Sequence, residues 1–93
     1  MIKGFHNTET KRIFERQRSR KLPADVQRRA YIRLLILDAV DRLGDLRVPP
    51  GNHLERLVGD RSGQHSIRVN DQWRICFSWH DGDAYDVEIC DYH

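Results

Sequence analysis

The last β-rich run of the chain, DVEICDYH, ends on three side chains that handle protons: Asp91, Tyr92 and His93. Chain ends usually fray, so such residues are informative there only if the preceding strand holds them in place. Asp91 and the α-carboxylate both favour the charged imidazolium of His93, which suits a proton donor or a phosphate clamp. The chain end is therefore a candidate site of acid–base chemistry, with an exposed tail as the simpler interpretation.

Three β-rich runs, HSIRV, WRICFSW and AYDVEI, must position these side chains. Three-residue loops at residues 70–72 and 80–82 place apolar residues opposite one another, and Gly82 suits the left-handed position that such loops need. The result is an antiparallel meander with one apolar face. The predicted pairs are Val69 with Trp73, Ile67 with Ile75, Phe77 with Tyr85, Ile75 with Val87, and Trp73 with Ile89.

The opposite face of this meander carries two facing arginines, Arg68 and Arg74. Like charges directly across two strands destabilise a sheet by up to about 1 kcal/mol. An anion bound between them would relieve this repulsion, and so would Glu88, which the predicted register places on the other flank of Arg74. Tyr92 shares this face. An anion site and a neutralised Arg–Glu–Arg ladder are both open at this point.

Two helices are predicted to cover the apolar face. Residues 6–21 form the first, with Asn7 or Thr8 as its cap. The second begins at Pro23 and ends at Gly44, with a buried stripe of Val26, Ala30, Leu34 and Leu37. IKGF is a candidate short strand, VPPGN is a rigid connector, and residues 53–60 are ambiguous. The predicted fold class is α+β, with two N-terminal helices on one face of a small, mainly antiparallel sheet, in a single domain of residues 1–93.

Composition places the chain among globular proteins, with 39% hydrophobic and 32% charged residues. The N-terminus lacks the apolar region of a secretory signal, and residues 34–37 form the longest aliphatic run, so we expect a cytoplasmic protein without a membrane contact. Cys76 and Cys90 show no metal-ligand spacing and are predicted to be two reduced thiols in or on strands. We expect no metal and no cofactor.

Charge is divided unevenly along the chain. Residues 1–48 contain 12 lysines and arginines against 6 acidic residues, and residues 49–93 contain 4 against 8. The densest basic stretch is RQRSRK, residues 16–21. A basic half favours an anionic partner, either a nucleic acid or an acidic protein.

The chain from Pro49 to His93 resembles the HigB branch of the RelE/ParE toxin superfamily. The motifs PPGN, L-x-G-D, S-I-R-V-N-x-Q-W-R-I-x-F and G-D-A-Y-D-V-E-I-x-D-Y-H occur in order at the expected spacings. The N-terminal half is similar only through its length and two-helix pattern. The resemblance implies a RelE-like fold and a toxin of a type II toxin–antitoxin pair that cleaves mRNA on the translating ribosome.

The resemblance also implies a set of site residues. Arg74 matches the sheet arginine of the family, and Asp91, Tyr92 and His93 match its C-terminal acid, aromatic residue and histidine. His53 follows PPGN in a loop where some members have a functional histidine and many have an arginine. Arg56 matches a position that is often lysine.

These residue types fit metal-independent RNA cleavage, in which the 2′-hydroxyl attacks the adjacent phosphorus. The reaction needs a base, an acid for the 5′-oxygen and cations for the developing charge. Arg74, with Arg56 or Arg68, is the expected charge stabiliser, and His93 the acid. Asp91 and His53 both remain candidates for the base. Tyr92 is expected to stack on or orient a splayed base.

The expected partners are a helix-turn-helix antitoxin similar to HigA, the small ribosomal subunit with its mRNA, and operator DNA reached through the antitoxin. Two alternatives remain open. One is a non-enzymatic inhibitor of DNA gyrase, as in the ParE branch, and the other is a degenerate RNA-binding module. Residues 16–21 are expected to bind either the antitoxin or ribosomal RNA.

Overall fold

The computed structural model describes residues 1–92, which form two α-helices, three short 3-10 helices and one four-stranded sheet. All neighbouring strands of the sheet are antiparallel, in the order β1-β2-β3-β4. The predicted α+β class is confirmed. No described helix has both the length and the apolar character that a membrane span requires. The helices and strands are α1 (Thr8–Phe14), α2 (Ala24–Ala39), β1 (Glu55–Arg56), β2 (Gln64–Arg68), β3 (Trp73–His80) and β4 (Asp83–Asp91).

Helix α1 begins as predicted but is shorter than predicted. The Oδ1 atom of Asn7 accepts a hydrogen bond of 2.9 Å from the backbone N–H of Thr10, so Asn7 is the N-cap. The helix ends at Phe14, and Arg16 has a φ of 63°, a left-handed conformation that a helix cannot continue through. The prediction of a helix through residue 21 is therefore wrong, and the whole basic stretch of residues 16–21 lies in the connection to α2.

Helix α2 buries the predicted stripe, Val26, Ala30, Leu34 and Leu37, against the sheet. It ends at Ala39 rather than at Gly44, because Val40 is extended and the chain turns there. The following 3-10 helix, Leu43–Arg47, then places Leu46 in the core, where it is fully buried. Because α2 ends early, the chain can turn back and place Leu46 in the core.

The N-terminal segment pairs with the outer edge of β4. Ile2 and Phe5 form isolated parallel bridges to Ala84 and Val87, rather than a regular strand. The sheet is therefore mainly antiparallel, as predicted, with a short parallel contact at this edge.

The register between β2 and β3 agrees with the prediction, since Ile67 lies opposite Ile75 and Arg68 lies opposite Arg74. The predicted register between β3 and β4 is wrong. Ile75 lies opposite Ile89 rather than Val87, and Trp73 opposite Asp91 rather than Ile89.

The cause is a β-bulge combined with a shorter turn. Asp81 and Gly82 have φ values of 50° and 84°, as a two-residue hairpin turn requires, so the connection is one residue shorter than predicted. Between Cys76 and Ser78, the partner residues on β4 advance by three positions instead of two. Asp86, with a φ of 56°, lies in this bulge. The inserted residue restores the alternation of apolar side chains, which a regular two-residue hairpin would have reversed.

This register changes the surroundings of Arg74. Its neighbour on β4 is Cys90, and Glu88 lies opposite Cys76 instead. Glu88 accepts a hydrogen bond of 3.0 Å from Nη2 of Arg61. The Arg–Glu–Arg ladder, one of the two interpretations left open by the sequence, is therefore wrong, and Glu88 does not neutralise the arginine pair.

Candidate active site

Arg74 lies on the polar face of the sheet, where hydrogen bonds hold two nitrogen atoms of its guanidinium group. Its Nε atom donates to Oγ of Ser66 at 2.7 Å, and Nη2 donates to the backbone carbonyl of His53. The residue is only 9% exposed. Nη1 lies 3.9 Å from Oε1 of Glu55, a side chain that is 57% exposed. Arg74 therefore has one edge fixed by hydrogen bonds and one Nη atom that faces an exposed carboxylate.

The PPGN motif positions His53. Pro50–Asn52 form a 3-10 turn, and the buried Nδ2 of Asn52 donates to the carbonyl groups of Leu46 and Val48 at 3.1 and 3.2 Å. His53 follows with φ 45° and ψ 58°, in the left-handed region. This conformation directs its carbonyl toward Arg74 and leaves the residue exposed. The rigid connector predicted from the prolines is thus anchored by an asparagine whose role the sequence did not indicate.

A cavity of about 330 Å³ opens above Arg74. We call it the Arg74 cavity. Four of the residues singled out from the sequence line it together, and three further polar residues complete its wall. Its lining residues are His53, Glu55, Arg68, Asn70, Asp71, Arg74 and Tyr92.

Tyr92 closes one side of the Arg74 cavity. Its backbone N–H donates to the carbonyl of Gln72 at 2.7 Å, so the chain remains paired one residue beyond β4. The residue is 44% exposed. Partial burial and the nearby Cys76 raise the pKa of the Tyr92 phenol above its ordinary value. Tyr92 is therefore protonated at neutral pH and can donate a hydrogen bond or stack, but does not act as a resting base.

Asp91 lies at the rim of the sheet, outside the lining of the Arg74 cavity. It is the last residue of β4, opposite Trp73, and its Oδ2 accepts a hydrogen bond of 3.1 Å from Nε2 of Gln72. Alternation along β4 places it on the other side of the sheet from Cys90 and Tyr92. His93, the third member of the predicted C-terminal group, lies outside the described residues.

Arg68 and Arg56 occupy different environments. Arg68 faces Arg74 and forms an ion pair with Asp71, and both residues line the Arg74 cavity. Arg56 lies on β1 opposite His65 and lines a separate cavity with Leu43 and Arg47. The structure thus brings Arg68 to Arg74, but it does not bring Arg56 to them.

Among the residues that carried no assigned role in the sequence analysis, two lie directly against Arg74. Ser66 fixes Arg74, and Glu55 lies beside it. Glu55 pairs with Ser66 across β1 and β2. That pairing was the missing signal, because residues 53–60 could not be assigned to a strand from their pattern.

A small apolar cluster lies on the same face as Arg74. Cys76 and Cys90 are free, buried thiols on neighbouring strands, as predicted, and Leu57 packs against them. A hydrogen bond with Cys76, together with burial, raises the pKa of the Cys90 thiol. The same hydrogen bond lowers the pKa of the Cys76 thiol. Both buried thiols lie close to Arg74, since Cys90 is its neighbour on β4. Among residues 1–92, no three His, Cys, Asp or Glu side chains come together as a metal site would require.

The Arg74 cavity can bind an anion. Two guanidinium groups line it, and each lies beside an exposed carboxylate, Glu55 or Asp71, that an incoming phosphate can displace. His53 and Tyr92, whose side chains are an imidazole and a phenol, line the same cavity. This combination provides charge stabilisation, a proton-transfer group and an aromatic surface, which are the components of metal-independent phosphodiester chemistry.

The chain thus packs two helices on one face of an antiparallel sheet and holds a guanidinium group on the opposite face. One chain of the YoeB–YefM complex from Staphylococcus aureus shares this fold, with a TM-score of 0.55 and 13% identity over 100% of this chain and 98% of that one. The profile of the HigB-like toxins, described as RelE-like toxins of the type II toxin–antitoxin system HigB, matches residues 3–93. The chain belongs to this family.

Named relatives agree with this membership. Toxin HigB-1 of Vibrio cholerae is 46% identical over 73 residues, which are 78% of this chain and 77% of that protein. Endoribonuclease HigB of Proteus vulgaris is 38% identical over 93 residues, the full length of both chains. The resemblance identified from the motifs is confirmed, the gyrase-inhibitor alternative is not favoured, and a toxin–antitoxin family supports an antitoxin as partner.

Proposed function

We propose that this chain is a cytoplasmic endoribonuclease toxin that cleaves mRNA on the translating ribosome and thereby inhibits translation. The observation that carries this proposal is the fixed guanidinium of Arg74 at an open cavity whose rim bears His53 and Tyr92. A cation held in place before the substrate arrives loses little orientational freedom when charge develops on the phosphate. The name of the Proteus vulgaris relative supports the same activity.

The scissile phosphate binds between Arg74 and Arg68, where it displaces Glu55 from Nη1 of Arg74. A base removes the proton of the 2′-hydroxyl, the 2′-oxygen attacks the phosphorus, and Arg74 stabilises the negative charge of the phosphorane. The bond to the 5′-oxygen then breaks as an acid protonates that oxygen. The products are a 2′,3′-cyclic phosphate, which can open to a 3′-phosphate, and a 5′-hydroxyl.

We assign the base to His53, because this residue is exposed and lines the Arg74 cavity. His93 is the proposed acid, and Asp91 supports the proposed acid from the rim. Tyr92 stacks on a nucleotide base, which its exposed and protonated ring allows. Arg56 lies outside the cavity, so we assign it a contact with the RNA backbone further along the strand.

The proposed partners follow from this activity. The mRNA is presented by the small ribosomal subunit, which unstacks and positions the codon. The antitoxin is a HigA-like helix-turn-helix protein, and operator DNA is contacted through it. No cofactor takes part in the proposed reaction.

The test uses the purified chain, translating ribosomes and a defined mRNA. We expect cleavage within codons, mapped by primer extension, with products that carry 5′-hydroxyl and cyclic phosphate ends. Arg74→Gln should reduce the cleavage rate by at least about 100-fold. Arg61→Gln is the matched control, because Arg61 is a partly exposed arginine near the same face but pairs with Glu88 outside the Arg74 cavity.

His53→Gln provides a second variant whose fold should be unaffected, since His53 is exposed. We expect it to retain the unfolding temperature of the unchanged chain and to lose cleavage. Inhibition of gyrase supercoiling without any RNA cleavage would overturn the proposal. Equal cleavage of free and ribosome-bound mRNA would contradict the ribosome dependence alone.

A further inference from the structure

Helix α2 exposes an apolar stripe on the side that does not contact the sheet. Ile32 is 54% exposed and Leu35 is 43% exposed. They follow Arg28 by four and seven positions, so all three side chains lie on one helix face. Large aliphatic side chains grouped on an exposed helix face are typical of a binding surface, whereas scattered ones are not.

A basic groove adjoins this stripe. It has a volume of about 250 Å³ and is lined by the end of α1, the connection that follows it, and the first half of α2. Three arginines, Arg16, Arg18 and Arg28, stand on its walls, and its described lining contains no carboxylate. Tyr31 lines the groove, and the guanidinium of Arg16 lies over its ring, 5.6 Å from the centroid.

The groove and the stripe form one continuous surface. Tyr31 lines the groove and precedes Leu35 by one helical turn, and Arg28 precedes Ile32 by one turn. We call this combined surface the α2 face. It is basic at the N-terminal end of the helix and apolar toward the C-terminal end. Because α2 packs on the side of the sheet that carries Ile67 and Ile75, the α2 face lies on the opposite side of the molecule from the Arg74 cavity.

The basic and apolar ends of the α2 face favour a protein partner over RNA. RNA would satisfy the arginines and the aromatic ring, but it offers no apolar surface that would bury Ile32 and Leu35. An amphipathic protein segment with acidic residues at one end and aliphatic residues at the other matches both parts. The antitoxin is a protein partner that the family membership supports.

We propose that the α2 face is the docking site of an acidic, amphipathic segment of the antitoxin. The inference rests on the toxin–antitoxin partnership and deepens it by naming the surface. Binding at this face leaves the Arg74 cavity uncovered by that segment, so the contact that gives affinity and the contact that blocks activity are separate. The arginines increase the association rate, and the aliphatic stripe slows dissociation.

The experiment titrates the full-length HigA-like antitoxin proposed as the partner against the unchanged chain and against the double variant Ile32→Asp, Leu35→Asp. We expect the double variant to raise the Kd by about 100-fold, since two central apolar contacts are lost. Arg28→Glu should reduce the association rate and its dependence on salt. Val58→Asp is the matched control, because Val58 is 85% exposed but lies outside the α2 face, and it should leave the Kd unchanged.

Three outcomes would overturn the inference. The double variant could bind the antitoxin within about threefold of the unchanged chain. It could keep that affinity while losing binding to ribosomes, which would assign the α2 face to ribosomal RNA. It could keep that affinity and be monomeric while the unchanged chain forms a dimer, which would assign the face to a second copy.

Ribosome-dependent cleavage by the free double variant separates this inference from the proposed function. Wild-type cleavage with weakened antitoxin binding supports both. Absence of cleavage from the unchanged chain contradicts the proposed function, while the change in antitoxin affinity still decides the docking site.

Discussion

The Nε atom of Arg74 donates a hydrogen bond of 2.7 Å to Oγ of Ser66, a side chain with no solvent exposure. Ser66 belongs to the neighbouring strand β2, so the sheet itself determines where the guanidinium lies. Together with the hydrogen bond from Nη2 to the carbonyl of His53, this contact connects Arg74 to both strand β2 and the loop that carries His53. Ser66 is thus a positioning residue for Arg74.

We expect Ser66→Ala to reduce ribosome-dependent cleavage by about 10-fold without unfolding the chain. The substitution leaves a buried guanidinium N–H without its acceptor, which would cost about 1–3 kcal/mol if the side chain stayed in place. We expect the Arg74 side chain to move toward solvent instead, so that the chain stays folded but the guanidinium group is no longer held in position. The measurement is single-turnover cleavage at saturating ribosome concentration, with a thermal unfolding curve for the same preparation.

Ser66→Thr serves as the control, because it keeps the hydroxyl at this position. Restored cleavage in Ser66→Thr, with the same small change in unfolding temperature as Ser66→Ala, would separate positioning from a general packing effect. An unchanged rate in Ser66→Ala would contradict the role of this hydrogen bond.

Two leucines of α2 allow a matched test of the core. Leu37 is fully buried against the sheet, whereas Leu35 is 43% exposed. We expect Leu37→Ala to lower the free energy of unfolding by about 2–5 kcal/mol, because it removes buried methyl groups and leaves a cavity. Leu35→Ala should change it by less than about 0.5 kcal/mol. Urea denaturation measures both, and equal losses would contradict the orientation of α2.

The hairpin turn between β3 and β4 depends on Gly82. This residue has a φ of 84°, and a Cβ atom placed there would lie 3.2 Å from the backbone oxygen of Asp41. We expect Gly82→Ala to reduce the free energy of unfolding by at least about 1–2 kcal/mol. Gly44→Ala is the control, since its Cβ would enter open space. Similar urea midpoints for the two variants would show that the turn tolerates a side chain.

Periodic patterns predicted the parts of this fold in which local and tertiary preferences agree. The buried stripe of α2 and the pairing of Ile67 with Ile75 both follow from apolar spacing alone. The patterns failed where a single residue departs from regular geometry. Arg16 follows α1 in a left-handed conformation, and the bulge at Asp86 shifts the register of β4. The apolar spacing of the sequence predicts neither feature.

The candidate site was predictable in composition but not in its connections. The arginine pair follows from the β2–β3 register, and motif similarity identified His53 and Tyr92, which line the same cavity. Glu55 and Ser66 required the pairing of a two-residue strand, which is too short to show alternation in sequence. The wrong β3–β4 register placed Glu88 beside Arg74, whereas the neighbour of Arg74 on β4 is Cys90.

His65 links stability to pH. Burial, and to a smaller extent the charge of Arg56, lower the pKa of His65 below its ordinary value of 6.5. Between the lowered folded pKa and 6.5, the unfolded chain binds more protons than the folded one. The contribution of His65 to stability is therefore complete above about pH 6.5 and is lost as the pH falls through the folded pKa.

We expect the free energy of unfolding to decrease between pH 7.5 and pH 5.5, and to decrease less in His65→Phe, which preserves the ring contact with Phe77. Urea denaturation at both pH values measures the difference. His80→Phe, a substitution at the exposed end of β3, is the control for the loss of any histidine. A pH dependence that is identical in the unchanged chain and in His65→Phe would contradict this linkage.

The two facing arginines should differ in the kinetic step that they affect. Arg74 is fixed and 9% exposed, whereas Arg68 is held by an exposed carboxylate, Asp71, and can follow a bound strand. An interaction present in both ground state and transition state changes KM, and one that strengthens only in the transition state changes kcat.

We expect Arg68→Gln to raise KM by about 10-fold at nearly constant kcat. Arg74→Lys should lower kcat by about 100-fold, because an ammonium group keeps the charge but cannot hold the bonds to Ser66 and His53 together. Steady-state cleavage of a defined mRNA on ribosomes measures both parameters. If Arg74→Lys changed only KM, the developing charge of the phosphorane would have to be stabilised by a group other than Arg74.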